Sequence, residues 1–398
     1  MTHPRVFSGM RPTGRLHIGH YFGVLANWVE LQRNHECWYC IVDWHALTTH
    51  YAESAGVAEH AIEVCTDWLA AGIDPEKSTL FLQSQVPQHA ELHLALSMLT
   101  PLGWLERIPS YKEQLAKLRH LDLTTYGFLG YPLLQTADIL LYKATLVPVG
   151  ADQVSHIELA REIARRFNSM YGKGQTFIDA VDDLYQTMSN KQRQKFESAV
   201  SAHNQHGNSA PGDAWLAEMQ SELDETQLVV AAQLVRQKGH AILPEPSATL
   251  LPETAKIPGL DGRKMSKSYH NSIMLRDDPD RVSASIKTMP TDPARVRLKD
   301  PGSPEKCPVW QLHLIYSDKT TQKEIHQACT SAAIGCVACK QRVCEPIISA
   351  NNSFIERAGQ YNDKAQILSL LKRGAESARD TAADTMREVK TAMRLVDG

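Results

Sequence analysis

PTGRLHIGH, residues 12–20, is the stretch on which the reading of this chain turns. It follows RVFSG (5–9), a short run that reads as a first strand. It opens a segment from about His17 to Arg33 with Ile18, Phe22, Leu25, Val29 and Leu31 on or near one side of a helix. Between them lies a loop with Gly9, Pro12 and Gly14. In an open α/β sheet, ligands bind at the carboxyl edge of such a strand. A helix start offers unpaired N–H groups and the positive end of a dipole, both suited to phosphate. His17 and His20 are three apart and so face the same side of the first turn. Gly14 and Gly19 remove side chains where a nucleotide must approach the backbone. Two histidines at a helix start are more often plain surface residues; the whole nine-residue context carries the nucleotide reading.

Working outward, CWYCIVDWHAL (37–47) is continuously apolar and reads as a second strand, buried in a parallel sheet. VAEHAIEVCTDWLAAGI (57–73) reads as a helix stopped near Gly72 and Pro75, and STLFLQS (78–84) as a third strand. The alternation predicts an α/β fold with a parallel sheet. After Tyr171, GKGQ is a loop, and residues 175–240 are polar, charged and weakly helical. They contain HNQHGNSAPGD (203–213), read as a mobile link inside an insertion. Apolar β-type sequence returns at AILPEP (241–246). Beyond about Asp278 the chain reads as helices, the last near 380–397 with Met386, Val389, Met393 and Val396 on one stripe. The expected division is 1–174, an insertion over 175–240, a return to the first domain over 241–278, and a helical domain over 279–398.

The 398 residues suggest two or three domains, and 43% hydrophobic with 22% charged content is ordinary for a globular protein with a core. No apolar run approaches the roughly 20 residues that cross a bilayer. The start MTHPRVFSGM lacks the pattern of a signal peptide. A cytoplasmic protein with no membrane association is expected. The net charge of −3 gives no sign of a nucleic-acid partner, so any such partner has to be argued from motifs.

The second motif is KMSKS, residues 264–268. It follows Gly259 and Gly262 and is expected on a flexible loop. Lys264 and Lys267 can stabilise charge developing on a departing pyrophosphate. Ser266 and Ser268 can donate hydrogen bonds to phosphate oxygens. Such a pentapeptide alone is usually a solvated loop; its weight comes from the pairing with PTGRLHIGH.

PTGRLHIGH resembles the first signature of the class I aminoacyl-tRNA synthetases, and KMSKS is identical to their second. The resemblance extends to tryptophanyl-tRNA synthetases over FSGMRPTGRLHIGHYFG (7–23), IVDWHALT (41–48), QSQVPQHAEL (83–92), YPLLQTADILLY (131–142) and PVGADQVSHIELAREIARRFN (148–168). It implies a Rossmann-like catalytic domain with an insertion and an all-α C-terminal anticodon-binding domain. It also implies L-tryptophan, ATP with Mg2+ and tRNA(Trp) as reaction partners, and a homodimer. His17, His20, Lys264, Lys267 and Ser268 are its expected catalytic residues. Arg11, Pro12, Thr13, Gly19, Gly150, Ala151, Asp152, Ile257, Met265 and Ser266 are expected, with His20 and the lysines, along the ATP. For the amino acid, Asp138 would accept the indole N–H and Phe7 would wall the side-chain pocket. Tyr131 and Gln153 would hold the amino and carboxyl groups, with Gln135 in the pocket and His45 near it.

Tyrosyl-tRNA synthetases are the close alternative, since they share both signatures and the Tyr131, Gln135, Asp138 spacing. Many tryptophan enzymes have methionine where this chain has Gln135. Phe7 favours tryptophan, because tyrosine enzymes usually place there a tyrosine that meets the substrate phenol. A tRNA- or nucleotide-binding paralogue without catalysis is a third reading, opposed by the intact signatures.

Five of the eight cysteines lie in the last quarter of the chain: Cys307, Cys329, Cys336, Cys339 and Cys344. In a cytosolic chain they argue for reduced thiols or a metal. Some tryptophanyl-tRNA synthetases carry a 4Fe–4S cluster with almost the spacing of Cys307, Cys329, Cys336 and Cys339. Four thiolates suit such a cluster, structural zinc equally, and free thiols stay a third reading. Cys344 has no assigned role. Cys37 and Cys40, three apart in a strand, point to opposite faces and read as core.

Overall fold

A computed structural model of the chain describes residues 4–52, 54–117, 123–172, 175–206, 210–235, 242–251 and 257–395. Five strands form one sheet in the order β3-β2-β1-β4-β5: β1 Arg5–Met10, β2 Glu36–Ile41, β3 Ser78–Leu82, β4 Leu146–Val149 and β5 Ser247–Leu250. β1 runs parallel to β4, and β2 runs parallel to β3 in register from Cys37↔Ser78 to Ile41↔Leu82. Parallel neighbours need long crossovers, usually helical. The helix Val57–Ala71 fills that role between β2 and β3, and Tyr126–Leu141 lies between β3 and β4. The strand order turns back at β1, and PTGRLHIGH leaves the carboxyl end of that strand. The expected α/β fold is therefore present.

The chain forms two compact units: one mainly of Gly9–Gln83 and Leu250–Ala375, the other of Pro4–Ser8, Ser84–Thr249 and the segment from Glu376 onward. In the first unit, Val57–Ala71 buries Ala61, Val64, Cys65, Trp68 and Leu69. Trp28 stacks on Tyr39 of β2 with centroids 4.3 Å apart and meets Trp68 edge-on at 5.2 Å. Each large side chain so buried contributes about 1.5–3 kcal/mol. The helix ends where Gly72 takes φ +106° and its N–H reaches Leu69 O at 3.0 Å. Cys37 and Cys40 lie buried in β2.

Four local readings need correction. CWYCIVDWHAL is a strand only to Ile41; Asp43–His50 is a helix, and the Asp43 carboxylate accepts the Trp44 N–H at 3.1 Å in its first turn. A carboxylate there suits the helix start better than a strand interior. The helix from His17 is not regular: Tyr21–Leu25 is a π-helical turn between Ile18–His20 and Ala26–Leu31, closed by Ala26 N–H to Tyr21 O. At AILPEP, Ile242 and Leu243 give their N–H groups to Asn168 Oδ1, both at 3.0 Å, so the strand forms later, at Ser247–Leu250; residue 241 lies outside the described residues.

The fourth correction is in the insertion. Its polar composition suggested weak helices, yet it holds Gln175–Thr187, Asn190–His206, Ala210–Met219 and Glu225–Val235 around Leu184, Phe196, Trp215, Met219 and Val230. HNQHGNSAPGD was expected to be a link; residues on both sides of 207–209 are helical, and 207–209 lie outside the described residues, as do 236–240 and 173–174 of the GKGQ loop. The last helix, Lys364–Ala392, buries Met386 and Val389 as its stripe requires; Val396 lies outside the described residues. Among the described residues no helix is long and apolar enough to cross a membrane.

Candidate active site

In the first unit the two signatures are joined by hydrogen bonds. Lys267 Nζ donates to Thr13 O at 2.9 Å, Thr13 Oγ1 at 3.0 Å and Gly14 O at 2.9 Å. The backbone behind them is knitted as well: Ile18 N–H bonds Ile273 O at 3.0 Å, and Leu275 N–H bonds Leu16 O at 2.9 Å. The loop carrying KMSKS was expected to be flexible because of Gly259 and Gly262. In the structure Met265 N–H reaches the carbonyl of the buried Ile257 at 3.1 Å, and Ser266 N–H reaches Asn271 Oδ1 at 2.8 Å. Asn271 is buried and also donates from Nδ2 to Asp261 Oδ1 at 2.7 Å. Lys264 and Ser268 are exposed, Met265 is buried, and Ser266 and Lys267 are half-buried.

The imidazoles of His17 and His20 lie against each other with centroids 3.7 Å apart and planes tilted by 38°. The His17 N–H donates to His20 Nδ1 at 3.2 Å. Gly14 takes φ +83°, a region that favours glycine, and this aims its carbonyl at Lys267. A Cβ at Gly19 would lie 2.9 Å from the His17 ring, so glycine there also makes room for that imidazole. Pro12 is buried, Arg11 half-buried, Thr13 exposed, and His45 sits buried on Asp43–His50.

The charges follow from this packing. Burial, then the charges of Lys267 and Lys264, lower the His17 pKa to about 4. Burial, then His17 and the two lysines, hold His20 well below its ordinary value. Both imidazoles are therefore neutral near pH 7 and offer hydrogen bonds rather than charge. Burial lowers the Lys267 ammonium to about 8, with Asp67 acting in the opposite sense. Positive charge in this unit's site thus comes from the lysines and Arg11, not from the histidines.

In the second unit, Tyr131, Gln135 and Asp138 share one face of Tyr126–Leu141, as steps of four and three require. Asp138 is buried, and its Oδ1 lies 2.7 Å from His89 Nδ1. His89 Nε2 lies 2.8 Å from the Tyr142 hydroxyl, and Phe7 stacks on the Tyr142 ring at 5.5 Å. Around Tyr131 runs a second set of contacts: its hydroxyl to Ser110 Oγ at 2.8 Å, Ser110 Oγ to His156 Nε2 at 2.6 Å, and His156 Nδ1 to Gln135 Oε1 at 2.6 Å. Gly150, Ala151, Asp152 and Gln153 form the turn between β4 and the helix Val154–Tyr171. Gln153 N–H bonds Gly150 O at 2.9 Å, and Ala151 and Asp152 are exposed.

Cys307, Cys329, Cys336 and Cys339 line one cavity with Asp292 and Arg295. Cys344 is buried and does not line it. Among the described residues no three His, Cys, Asp or Glu side chains converge tightly enough to hold a single metal ion. Four thiols around one cavity are a donor set that suits a 4Fe–4S cluster or zinc. Gly302 keeps the cradle open, since a Cβ there would lie 2.6 Å from Cys329 Sγ. Arg295 Nη1 is 3.8 Å from the same sulfur. Burial, then the neighbouring cysteines, push the Cys339 thiol up to about 12.

Sequence reading missed several residues. His89, Ser110 and His156 are common types whose partners are remote in sequence. Asp67 is fully buried in Val57–Ala71; its Oδ2 accepts the Leu16 N–H at 2.6 Å and its Oδ1 pairs with Arg276 at 2.7 Å. That ion pair anchors the signature loop at its middle. A buried aspartate inside an apolar helix pattern was the one available signal.

Comparison with known proteins gives the family. The family model described as tRNA synthetases class I (W and Y) matches residues 1–202 and 224–350. A tryptophan–tRNA ligase of Ralstonia nicotianae is 50% identical, covering 98% of each chain. A tryptophan–tRNA ligase of Thermotoga maritima is 42% identical over 98% of this chain and 99% of its own length. Among solved structures, the tryptophanyl-tRNA synthetase of Campylobacter jejuni complexed with ADP and tryptophan superposes with a TM-score of 0.73 at 28% identity, covering 98% of this chain and 100% of that one.

Proposed function

The chain belongs to the class I tRNA synthetases for tryptophan and tyrosine and acts as a tryptophan–tRNA ligase, and from that premise we propose how its residues divide the work. The tryptophan carboxylate attacks the α-phosphorus of ATP, taken as its magnesium complex; the new P–O bond forms as pyrophosphate leaves. The hydroxyl of the tRNA terminal adenosine then attacks the carbonyl carbon of the adenylate; the ester forms as the acyl–phosphate bond breaks and AMP leaves. His17 and His20, uncharged, donate hydrogen bonds to the phosphates. Lys264 and Lys267 supply the positive charge that meets the departing pyrophosphate, helped by Ser266 and Ser268. Ile257 packs near the adenine. Asp138 accepts the indole N–H against the Phe7 wall, and Tyr131 and Gln153 hold the amino acid's polar end. Cytoplasmic location goes with a reaction on tRNA and ATP.

The observation that supports this most is the seat of Lys267 on Thr13 and Gly14, which ties the second signature to the first. The test is amino-acid-dependent ATP–pyrophosphate exchange over all twenty amino acids. Exchange with tryptophan alone is expected. Exchange with tyrosine would move the chain to the other branch, and none at all would leave only a binding protein.

A pH dependence follows. Lys267 titrates at about 8, so the unliganded enzyme loses this charge as pH rises through that value. The kcat/KM for ATP, which reports the free enzyme, is expected to fall above about pH 8. Lys267→Arg should carry that limb to higher pH; an unmoved limb would assign it to another group.

We further propose that Cys307, Cys329, Cys336 and Cys339 hold a 4Fe–4S cluster. Cys307 precedes the helix Pro308–Tyr316, Cys329 lies in Lys319–Thr330, and Cys336 and Cys339 open Cys336–Gly359. Such a cluster would brace three helices of the region assigned to anticodon binding. Anaerobically purified protein should be brown with about four irons per chain; colourless, zinc-loaded protein would rule this out. A homodimer is proposed on the exposed apolar group Leu94, Met98, Leu102 and Tyr126 in the second unit. Light scattering should give twice the chain mass of 44.4 kDa; a monomer would dismiss it.

A further inference from the structure

We propose that Asp67 and Arg276 are positioning residues of the ATP site, which hold the flanks of the two signatures in one register against the helix Val57–Ala71. This rests on the reading of His17 and Lys267 as residues that meet the phosphates. The helix is a fixed reference, since Val64, Cys65 and Trp68 beside Asp67 are fully buried. Asp67 Oδ2 accepts the Leu16 N–H at 2.6 Å, and its Oδ1 lies 2.7 Å from Arg276 Nε. One turn earlier on the helix, Glu63 pairs with Arg15 at 3.2 Å and with Arg276. Arg15 and Leu16 belong to the first signature, and Arg276 follows KMSKS.

The two flanks pair with each other by backbone: Leu275 N–H to Leu16 O at 2.9 Å and Ile18 N–H to Ile273 O at 3.0 Å, with His17 opposite Met274 in antiparallel sense. Asp67 ties both of them to the helix, one through Leu16 and the other through Arg276. His17 follows Leu16 directly, and Lys267 rests on Thr13 and Gly14 just before Arg15. A shift of Leu16 would therefore move both groups that are to meet the phosphates. A buried ion pair contributes little net stability, and apolar side chains of like volume often serve as well. What the carboxylate adds is direction, with one oxygen on an N–H and the other on a cation.

Its charge has a second effect. Asp67 is faced by Arg276 and Glu63; burial raises its pKa to about 6, with Arg276 acting against that, so it is largely ionised at neutral pH. Lys267 is faced by Asp67, His17 and His20, and the Asp67 charge raises the Lys267 pKa against the effect of burial. Without that charge Lys267 would lose its proton at lower pH.

The test is tryptophan-dependent ATP–pyrophosphate exchange by the full chain, measured across pH. In Asp67→Asn, kcat/KM for ATP is expected to fall about tenfold or more, since misplacing reacting groups by about 1 Å can cost 10²-fold. The KM for tryptophan should stay close to that of the parent. The alkaline limb, which lies near pH 8 in the parent, should move to lower pH, because asparagine has no charge to hold the Lys267 proton. Removing one partner of a buried pair is itself strongly destabilising. Asp67→Leu combined with Arg276→Leu is therefore measured alongside; this double variant should melt close to the parent and still lose about tenfold or more in kcat/KM for ATP. Lys267→Ala in the same assay separates two failures. If it leaves kcat/KM for ATP unchanged, the reading of Lys267 fails and the proposal with it. If Lys267→Ala lowers it and the folded double variant works like the parent, the pair only fills space and the proposal is overturned while Lys267 keeps its role. The proposal is equally overturned if Asp67→Asn leaves the limb in place and lowers kcat alone, with both KM values those of the parent, since that is a loss of folded enzyme.

Discussion

Replacing Lys264 and Lys267 together by alanine is expected to slow tryptophanyl-adenylate formation by about a thousandfold or more while the chain stays folded. Removing a single preorganised donor from a developing anion commonly costs about 10²–10³ in rate, and here two cations are removed. They matter more because the imidazoles beside them are neutral: burial and the lysine charges keep His17 at about 4 and His20 well below its ordinary value. The loop keeps other ties when the lysines are removed, since Asn271 and Ile257 bond its backbone. Unchanged circular dichroism with near-normal exchange would remove the lysines from the mechanism.

Asp138→Ala is expected to abolish tryptophan activation. A site built to accept a ligand's N–H discriminates by about 10⁴–10⁵ when that pairing is lost. His89 adds to the effect, because it fixes the carboxylate through a 2.7 Å contact and is itself anchored on Tyr142 at 2.8 Å. A carboxylate has about four acceptor sites, so the bond to His89 does not exhaust it. The alanine variant also strands a buried imidazole, costing about 1–3 kcal/mol of stability. Asp138→Asn keeps the shape and a carbonyl oxygen, and should retain stability with weakened activation. Retained tryptophan activity in a folded Asp138→Ala protein would take this residue out of the pocket.

The sequence was most informative where a local rule acts alone. The steps between Tyr131, Gln135 and Asp138 placed them on one helix face, and the apolar runs gave β1, β2 and β3. His17 and His20 lie side by side because three residues make nearly one turn. Reading failed where a remote partner decides. Asn168 takes the N–H groups of Ile242 and Leu243, which no local pattern announces. Asp43 ends β2 by starting a helix inside an apolar run. The insertion hides its core because Phe196 and Trp215 are spread among charged residues on separate helices. Ser110, His156 and His89 are legible only once helices far apart in sequence have packed. The contacts of Asn271 with the KMSKS loop were likewise not legible, because nothing in the sequence singles that residue out.

The account stands on the two signatures serving one triphosphate, and a crystal structure with an ATP analogue tests this most directly. Lys267 should have left Thr13 and Gly14 for a phosphate oxygen, with an imidazole of His17 or His20 bonded to the same nucleotide. A bound nucleotide that leaves Lys267 on Thr13 and touches neither histidine would contradict the account.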